Sequence, residues 1–474
     1  MIIALVLNNK YNTMFKTQNI DALKNNPEKL DKFVRTESCG DISYLLRKLG
    51  KLSLDFDQSP LLHLLKKDND NVRYLAVKNL AKLSNPSLIG TYKELLKSDP
   101  SARVRRESVS AIGRLRRKES IPILLGLLDD YDPEVVLQAI RGLLVFKKDN
   151  VVKDELKKLS DHPNEIIRVV IDKEFNHNHN DLKHEKTNHT QSPDFMKNVI
   201  VQGDVSEIIK YVPDESIHLT FTSPPYYNAR DYSIYQSYEA YLKFLEEVFK
   251  EVYRVTKEGR FFILNTSPII IPRVSRQHSS KRYPIPYDVH PLLIKMGWEF
   301  IDDIIWLKPE SSVKNRNAGF LQHRKPLAYK PNPCTESVMV YRKKTDKLID
   351  WNIRQYDWGI VNKSRVNDEY ETSNIWKIDP VFDKTHSAVF PLELCNRVIK
   401  FYSYVGDLVF DPFAGSGTFG KSALNLNRYF FLTETKSEYI ERTNENIKQK
   451  TLSEYYKTPT FLDLETFISN TKRK

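Results

Sequence analysis

The stretch Leu408–Glu434, LVFDPFAGSGTFGKSALNLNRYFFLTE, decides how the larger part of this chain folds. LVFDP (408–412) has the make-up of a short buried strand, YFFLTE (429–434) that of a second, and a helix is expected between them from about Thr418. The joint is Asp411-Pro-Phe-Ala-Gly415-Ser-Gly417-Thr-Phe-Gly420. Glycines there let the backbone approach a ligand, and the free N–H groups of a helix start suit polar or anionic groups. Glu434 closes the second strand, where a carboxylate can accept both hydroxyls of a ribose. By itself a G-x-G-x-x-G turn fits a dinucleotide-dependent oxidoreductase equally well, and a tight strand-to-helix turn without any ligand also satisfies it.

Outward from this unit the same alternation continues. VIVQ (199–202), IHLTF (217–221), RFFILN (260–265) and SVMVY (337–341) are strand-like, and WEFIDDIIWL (298–307) is expected to hold a strand pair. Tyr238–Val255 places Tyr241, Leu242, Leu245, Val248, Phe249 and Val252 on one helical face, with Ser237 as its N-cap. Further helices are expected near Val289–Met296, over Leu392–Tyr402, and from Ser437, the last finishing the unit. Strands alternating with amphipathic helices argue for an α/β, doubly wound Rossmann-like sheet.

A second motif, Thr222-Ser223-Pro224-Pro225-Tyr226, stands directly after a strand. Two prolines stiffen the loop and leave carbonyls outside the ladder, and a tyrosine beside them offers a flat face. A rigid edge of acceptors next to a ring can hold an exocyclic amine on a flat heterocycle and orient its lone pair toward an electrophile. A proline turn after a strand can equally be structural.

Together DPFAGSGT and TSPPY resemble the amino-methyltransferases of DNA, which use S-adenosylmethionine. Gly203-Asp204, IIWLKP (304–309), ESVMVYRK (336–343) and HSAVFPLELCNRVIKFYS (386–403) are similar to further blocks of that family. TSPPY precedes FPLEL, which precedes DPFAGSGT, the circularly permuted β-type order, and the resemblance covers about residues 196–450. It implies a SAM-dependent methyltransferase sheet and direct methyl transfer, without a covalent enzyme intermediate and without metal. It further implies that Phe413, Gly415 and Gly417, in the block opened by Asp411, wrap the cofactor's methionine part, that Glu434 binds its ribose and Asp204 its adenine end, and that Phe390 and Pro391 line the same pocket. Ser223 and the Pro224 carbonyl would hold the target amine in the loop that Pro225 stiffens, and Tyr226 would stack on a base flipped from the duplex. Flipping costs a few kcal/mol, and an aromatic stack returns ~1–3 kcal/mol. Ser before Pro-Pro-Tyr leans, in this family, toward cytosine N4, with adenine N6 as the alternative. Pro333-Cys334 has the form of a cytosine-C5 nucleophile motif, but its place in the chain does not fit that family.

DNA-sequence specificity is expected in a target recognition segment at about 310–375, with Arg316, Arg324 and Lys325 among Asn and Gln residues that can read base edges. The loop 268–287, carrying Arg273, Arg276 and Arg282, is expected to be a flap facing phosphates, and a solvated basic loop is the plain alternative.

The first third of the chain repeats itself. VRYLAVKNLAKL from Val72, VRRESVSAIGRL from Val104, VVLQAIRGLLVF from Val135 and IRVVIDKEF from Ile167 align at offsets of 32, 31 and 32 residues, each after an Asp/Asn/Pro-rich turn. Each is expected to pair with a second apolar helix, such as IPILLGLLDD from Ile121. A fixed period of paired helices means an α-solenoid, here similar to HEAT-like repeats. Arg103, Arg106, Arg114 and Arg117, with Arg105 nearby, are expected on one helical face, as a solvated surface or as a basic strip touching DNA backbone. The domains expected are thus 1–175, with repeats clearest over 50–175; a polar linker, 176–195; and the methyltransferase domain, 196–474. The linker's His177, His179, His184 and His189 lack the cysteines and rigid scaffold of a metal site, so none is expected.

Composition bounds the rest. The 474 residues carry a net charge of +12, which favours a polyanionic partner. With 15 glycines a collagen-like chain is excluded, and three scattered cysteines (Cys39, Cys334, Cys395) cannot build a disulfide framework. No apolar run approaches the ~20 residues of a membrane span, and Met1–Leu7 is too short for a signal sequence. The expectation is a soluble cytoplasmic enzyme of a prokaryotic cell, acting on double-stranded DNA as the modification half of a restriction–modification system. Its partners would be a cognate restriction endonuclease and a protein partner on the repeats. The competing readings are the oxidoreductase above and a solenoid scaffold with an inactive methyltransferase half.

Overall fold

The computed structural model describes residues 20–53, 55–176, 189–227, 235–271, 275, 277–278, 280–313, 326, 331–366, 370, 372–381, 389–447 and 458–472. The chain divides into two compact units, 1–182 and 183–474.

In the first unit the four aligned segments are helices: Asp70–Leu80, Ala102–Arg114, Pro133–Leu143 and Glu165–Ile171. Their registering residues Val72, Val104, Val135 and Ile167 are all fully buried. Asn69, Asp132 and Asn164 cap three of these helices through their side chains, which is why each repeat opens on an Asx-rich turn. The residue after the registering one has its own task. Arg73 donates to the carbonyls of Lys67 and Asp68, Arg105 to those of Asp99 and Pro100, and Arg168 to those of His162 and Pro163. Each arginine thus ties down the turn five and six residues before it. In the third repeat Val136 stands at that position. Arg105 is therefore buried, and is no part of an exposed basic face. Arg117 also leaves the expected face, because the helix ends at Arg114 and Arg116 turns left-handed at φ 51°. The partner helix expected over IPILLGLLDD covers only Ile121–Leu125, ending before Gly126, a poor helix former.

The second unit is a nine-stranded mixed sheet. In chain order its strands are β1 (Val199–Gln202), β2 (Ile217–Thr222), β3 (Thr256–Thr266), then, after a separate hairpin of β4 (Ile269–Ile271) and β5 (Lys281–Tyr283), β6 (Trp298–Leu307), β7 (Thr335–Lys343), β8 (Ile375–Lys377), β9 (Leu408–Asp411), β10 (Tyr429–Glu434) and β11 (Thr460–Asp463). Spatially they run β11-β1-β10-β9-β2-β3-β7-β6-β8. Only β7 is reversed, pairing antiparallel with β3 and β6. Both faces are covered, one by helices Tyr238–Val255 and Ile285–Met296, the other by Leu392–Tyr402 and Thr418–Asn425. Strands buried on both sides explain the near-continuous apolar runs read in the sequence.

Three details differ from the sequence reading. WEFIDDIIWL is one strand with a bulge between Phe300 and Asp302, not a pair, so its polar aspartates fall where the register shifts. The unit does not finish at the helix from Ser437, because β11 and helix Leu464–Lys472 extend the sheet past β1. From His189 the chain already packs into this unit: His189 is buried against Trp351 and Asn352, although the segment's polarity suggested a free linker.

Candidate active site

Seven strands bring the chemistry to one edge. The C-terminal ends of β1, β2, β3, β6, β9 and β10 and the start of the reversed β7 all lie there, by the pairing directions. Ligands of open α/β sheets bind outside such carboxyl ends. β2 and β9 are direct neighbours, so TSPPY and DPFAGSGT emerge side by side.

The two loops are hydrogen-bonded to each other. Thr222 Oγ1 donates to Asp411 Oδ1 at 2.6 Å, and the Phe413 amide donates to the same oxygen at 3.0 Å. Asp411 is fully buried, and that burial, only partly countered by the Thr222 hydrogen bond, pushes its carboxyl up to about 7. Phe390 stacks on Phe221, the residue before Thr222, with ring centroids 4.6 Å apart, and Pro391 caps the next helix. Phe221 also meets Phe419 edge-on at 5.4 Å. All three sequence blocks thus converge on one place.

The glycine turn is held from behind. Thr443 Oγ1 donates to the Gly415 carbonyl at 3.0 Å, and Asn446 Nδ2 to the Ser416 carbonyl at 2.8 Å. Gly417 has φ +73°, and a Cβ there would stand 2.4 Å from Thr443 Cγ2. Glu434 accepts the amides of Thr435 and Lys436 on Oε1 and that of Gly415 on Oε2. Burial nevertheless raises its carboxyl above the ordinary value. A carboxylate has about four lone-pair sites, so Oε2 keeps one for a further donor such as a ribose hydroxyl. Asp204 is exposed and caps helix Val205–Ile208 through the Ser206 amide at 2.8 Å. Phe413 lies 6.0 Å from the Phe244 ring. A carboxylate acceptor, a pinned glycine turn and aromatic walls on one edge fit a nucleoside cofactor.

On the other side, Ser223 Oγ lies 3.5 Å from both Tyr226 OH and Asn265 Nδ2. Tyr226 is half-buried, and its hydroxyl donates to Glu336 Oε2 at 3.1 Å. The same carboxylate accepts from Asn265 Nδ2 at 2.6 Å and pairs with Lys308. Desolvation first, then the Glu336 charge, hold the Tyr226 phenol well above its usual value, so it stays neutral. Asn265, Lys308 and Glu336 were missed as site residues in the sequence. The available signals were a lysine directly after a strand and a glutamate opening the apolar run of β7.

Other expectations fall elsewhere. Arg282 is exposed on β5, within a hairpin where an irregular flap was expected. Arg273, Arg276, Arg316, Arg324 and Lys325, with His177, His179 and His184, lie outside the described residues. Cys334 accepts the Lys308 amide on its carbonyl at 2.7 Å. Among the described residues no three potential metal ligands cluster, and no helix is long and apolar enough to cross a membrane.

Residues 217–445 match the family described as DNA methylase, and residues 58–144 and 91–171 match HEAT repeats. The orphan methyltransferase M.BamHII of Bacillus amyloliquefaciens is 30% identical over 253 residues, 50% of this chain and 91% of the relative. The type II beta methyltransferase M.BslI of Bacillus sp. (strain NEB-606) is 29% identical over 259 residues, 51% of this chain, which spans only 26% of that relative's length. Among solved structures, the PvuII DNA methyltransferase (cytosine-N4-specific) shares 20% identity at a TM-score of 0.42, covering 58% of this chain and 96% of the other. A DNA modification methylase of Thermus thermophilus complexed with S-adenosyl-L-methionine shares 25% at a TM-score of 0.43, covering 54% and 98%.

Proposed function

This chain belongs to the DNA methylase family, and we propose that it transfers a methyl group from S-adenosylmethionine to the exocyclic N4 amine of cytosine in duplex DNA. The observation that carries the reading is the Thr222–Asp411 hydrogen bond, which fixes an amine-gripping loop and a glycine turn across one cleft.

The cofactor, when bound, supplies an electrophilic methyl on a sulfonium. Glu434 holds the ribose, Gly415 and Gly417 let the backbone close on the methionine part, and Phe390, Pro391 and Phe413 wall the pocket, with Asp204 toward the adenine. Asp411 acts by joining the two loops. Ser223 and the Pro224 carbonyl accept the target amine's hydrogens, which directs its lone pair at the methyl. The N–C bond forms as the S–C bond breaks, and the amine gives up one proton. Pro225 keeps the loop stiff, and the Tyr226 face stacks on the flipped base, its hydroxyl anchored by Glu336. Arg282, with Arg273, Arg276, Arg316, Arg324 and Lys325, contacts DNA.

The serine of TSPPY supports N4-cytosine. The relatives that bear type II names support the modification half of a restriction–modification system, beside a cognate endonuclease, in a prokaryotic cytoplasm. Duplex DNA is incubated with the protein and labelled cofactor, then digested to nucleosides. 4-Methylcytosine is expected; 6-methyladenine would reassign the amine, and an unlabelled digest would refute the activity.

A further inference from the structure

The repeat unit carries a charged depression that the methyltransferase chemistry does not use. It has a volume of about 320 Å³, and Arg103, Arg106, Arg114 and Arg141 line it. Three come from helix Ala102–Arg114 and the fourth from the neighbouring helix Pro133–Leu143.

The two helices are pressed together by their glycines. A Cβ on Gly113 would stand 3.0 Å from Gly142 Cα, so the pair approaches as closely as backbone allows. Arg114 and Arg141, next to those glycines in sequence, therefore converge on one hollow. Like charges held close are unfavourable unless something neutralises them. Two carboxylates do so in part: Asp132 grips Arg106 through two bonds of 2.9 Å, and Glu107 takes Arg114 at 3.0 Å. Arg103 lies 3.9 Å over the Tyr74 ring and reaches Asn71, and Arg141 reaches Gln138, all neutral partners. Arg103, Arg114 and Arg141 are exposed. Four guanidinium groups against two carboxylates leave a net positive hollow whose outer arginines keep unused donors.

We propose that this depression binds the phosphodiester backbone of duplex DNA, giving the repeats a sequence-independent grip on the substrate. Planar guanidinium forks suit phosphate oxygens in pairs. Contacts to backbone fix position and carry no sequence information, so no base-reading side chain is required here. The choice of DNA as the polyanion rests on the methyltransferase reading above.

The test is equilibrium binding of the full chain to a duplex at several salt concentrations, comparing the wild type with the triple variant Arg103→Gln, Arg114→Gln, Arg141→Gln. Cofactor affinity and thermal melting verify that the variant is folded. Each lost phosphate contact removes roughly 0.9 from the slope of log K against log salt. The slope should become shallower by about 2, with affinity at 0.1 M salt down on the order of a hundredfold. An unchanged slope in a folded variant overturns the proposal, as does loss of binding to polyglutamate alone, which would assign the hollow to an acidic protein. The readout does not depend on turnover. A wild type that binds DNA with the expected slope but methylates nothing would sink the methyltransferase reading and leave this one standing.

Discussion

Glu336 organises more of the candidate site than any single residue of the two motifs. Its carboxylate takes the Tyr226 hydroxyl, the Asn265 amide and the Lys308 ammonium at once, and Asn265 in turn reaches Ser223. The tyrosine ring is thereby held at its far end as well as by its backbone. This separates two contributions of Tyr226. Tyr226→Ala removes the stacking face, worth about 1–3 kcal/mol per base, so turnover should fall roughly ten- to a hundredfold while cofactor affinity stays near the wild type. Tyr226→Phe keeps the face and loses only the anchor, so it should retain most of the turnover. Steady-state kinetics beside calorimetric titration of the cofactor reads both, and equal losses of turnover and cofactor binding in Tyr226→Ala would refute the stacking role.

At the scale of elements, two recurrent devices hold the structure. The first is the glycine turn after β9, which works because Gly417 sits left-handed against Thr443. Gly417→Val would need both an unfavourable φ and space that Thr443 fills. The turn must then move away, and cofactor binding should be abolished in a protein that still melts cooperatively. Retained binding by titration would mean that the cofactor lies elsewhere. The second device is the arginine that ties down the preceding turn in the repeats. Arg73 is its most complete example, since it also pairs with buried Asp99 at 2.7 Å and 3.0 Å. Arg73→Ala leaves that carboxylate buried without its partner, which costs about 3–5 kcal/mol. A helical melting transition lowered by several degrees, followed by circular dichroism at 222 nm, is the expected result. In sequence the arginine looked like surface charge, because its partners are carbonyls that only the folded turn presents.

At the scale of the whole molecule, the sheet rests on a buried ionic cluster far from the site edge. Asp407 pairs with Arg260 and accepts Tyr356 OH at 2.5 Å and the Tyr404 amide at 2.8 Å. Beside it, burial holds His218 down to about 3 and His189 to about 4. Both imidazoles are neutral in the folded chain. Below the ordinary value of 6.5 the unfolded chain binds protons that the folded one does not, so stability is full above that pH and is lost as pH falls toward 4. Asp411 works in the opposite sense, since its raised carboxyl stabilises the fold at low pH and loses that contribution as pH rises toward 7. Two groups against one leave a net loss of about 1.4 kcal/mol per unit of acidification between pH 6.5 and 4. Urea midpoints read by tryptophan fluorescence report on this unit alone, since all five tryptophans lie between Trp298 and Trp376. The His218→Asn variant should show a nearly flat profile over that range, and an unchanged slope would place the proton uptake elsewhere.

The sequence by itself determined the repeat period, the strand and helix succession and the two motif loops, because period, turn chemistry and apolar runs are local properties. Helices Tyr238–Val255 and Leu392–Tyr402 fall where their apolar spacing and boundary residues put them. Only tertiary structure decided which strands are neighbours, that β7 runs backward, and that β11 adds an edge. It alone brought Asn265, Lys308 and Glu336 to Tyr226, across 39, 82 and 110 positions of chain. Sheet order is set by which apolar faces bury best against one another, and a carboxylate acquires its partners only after that order exists; neither is written in any short window of residues.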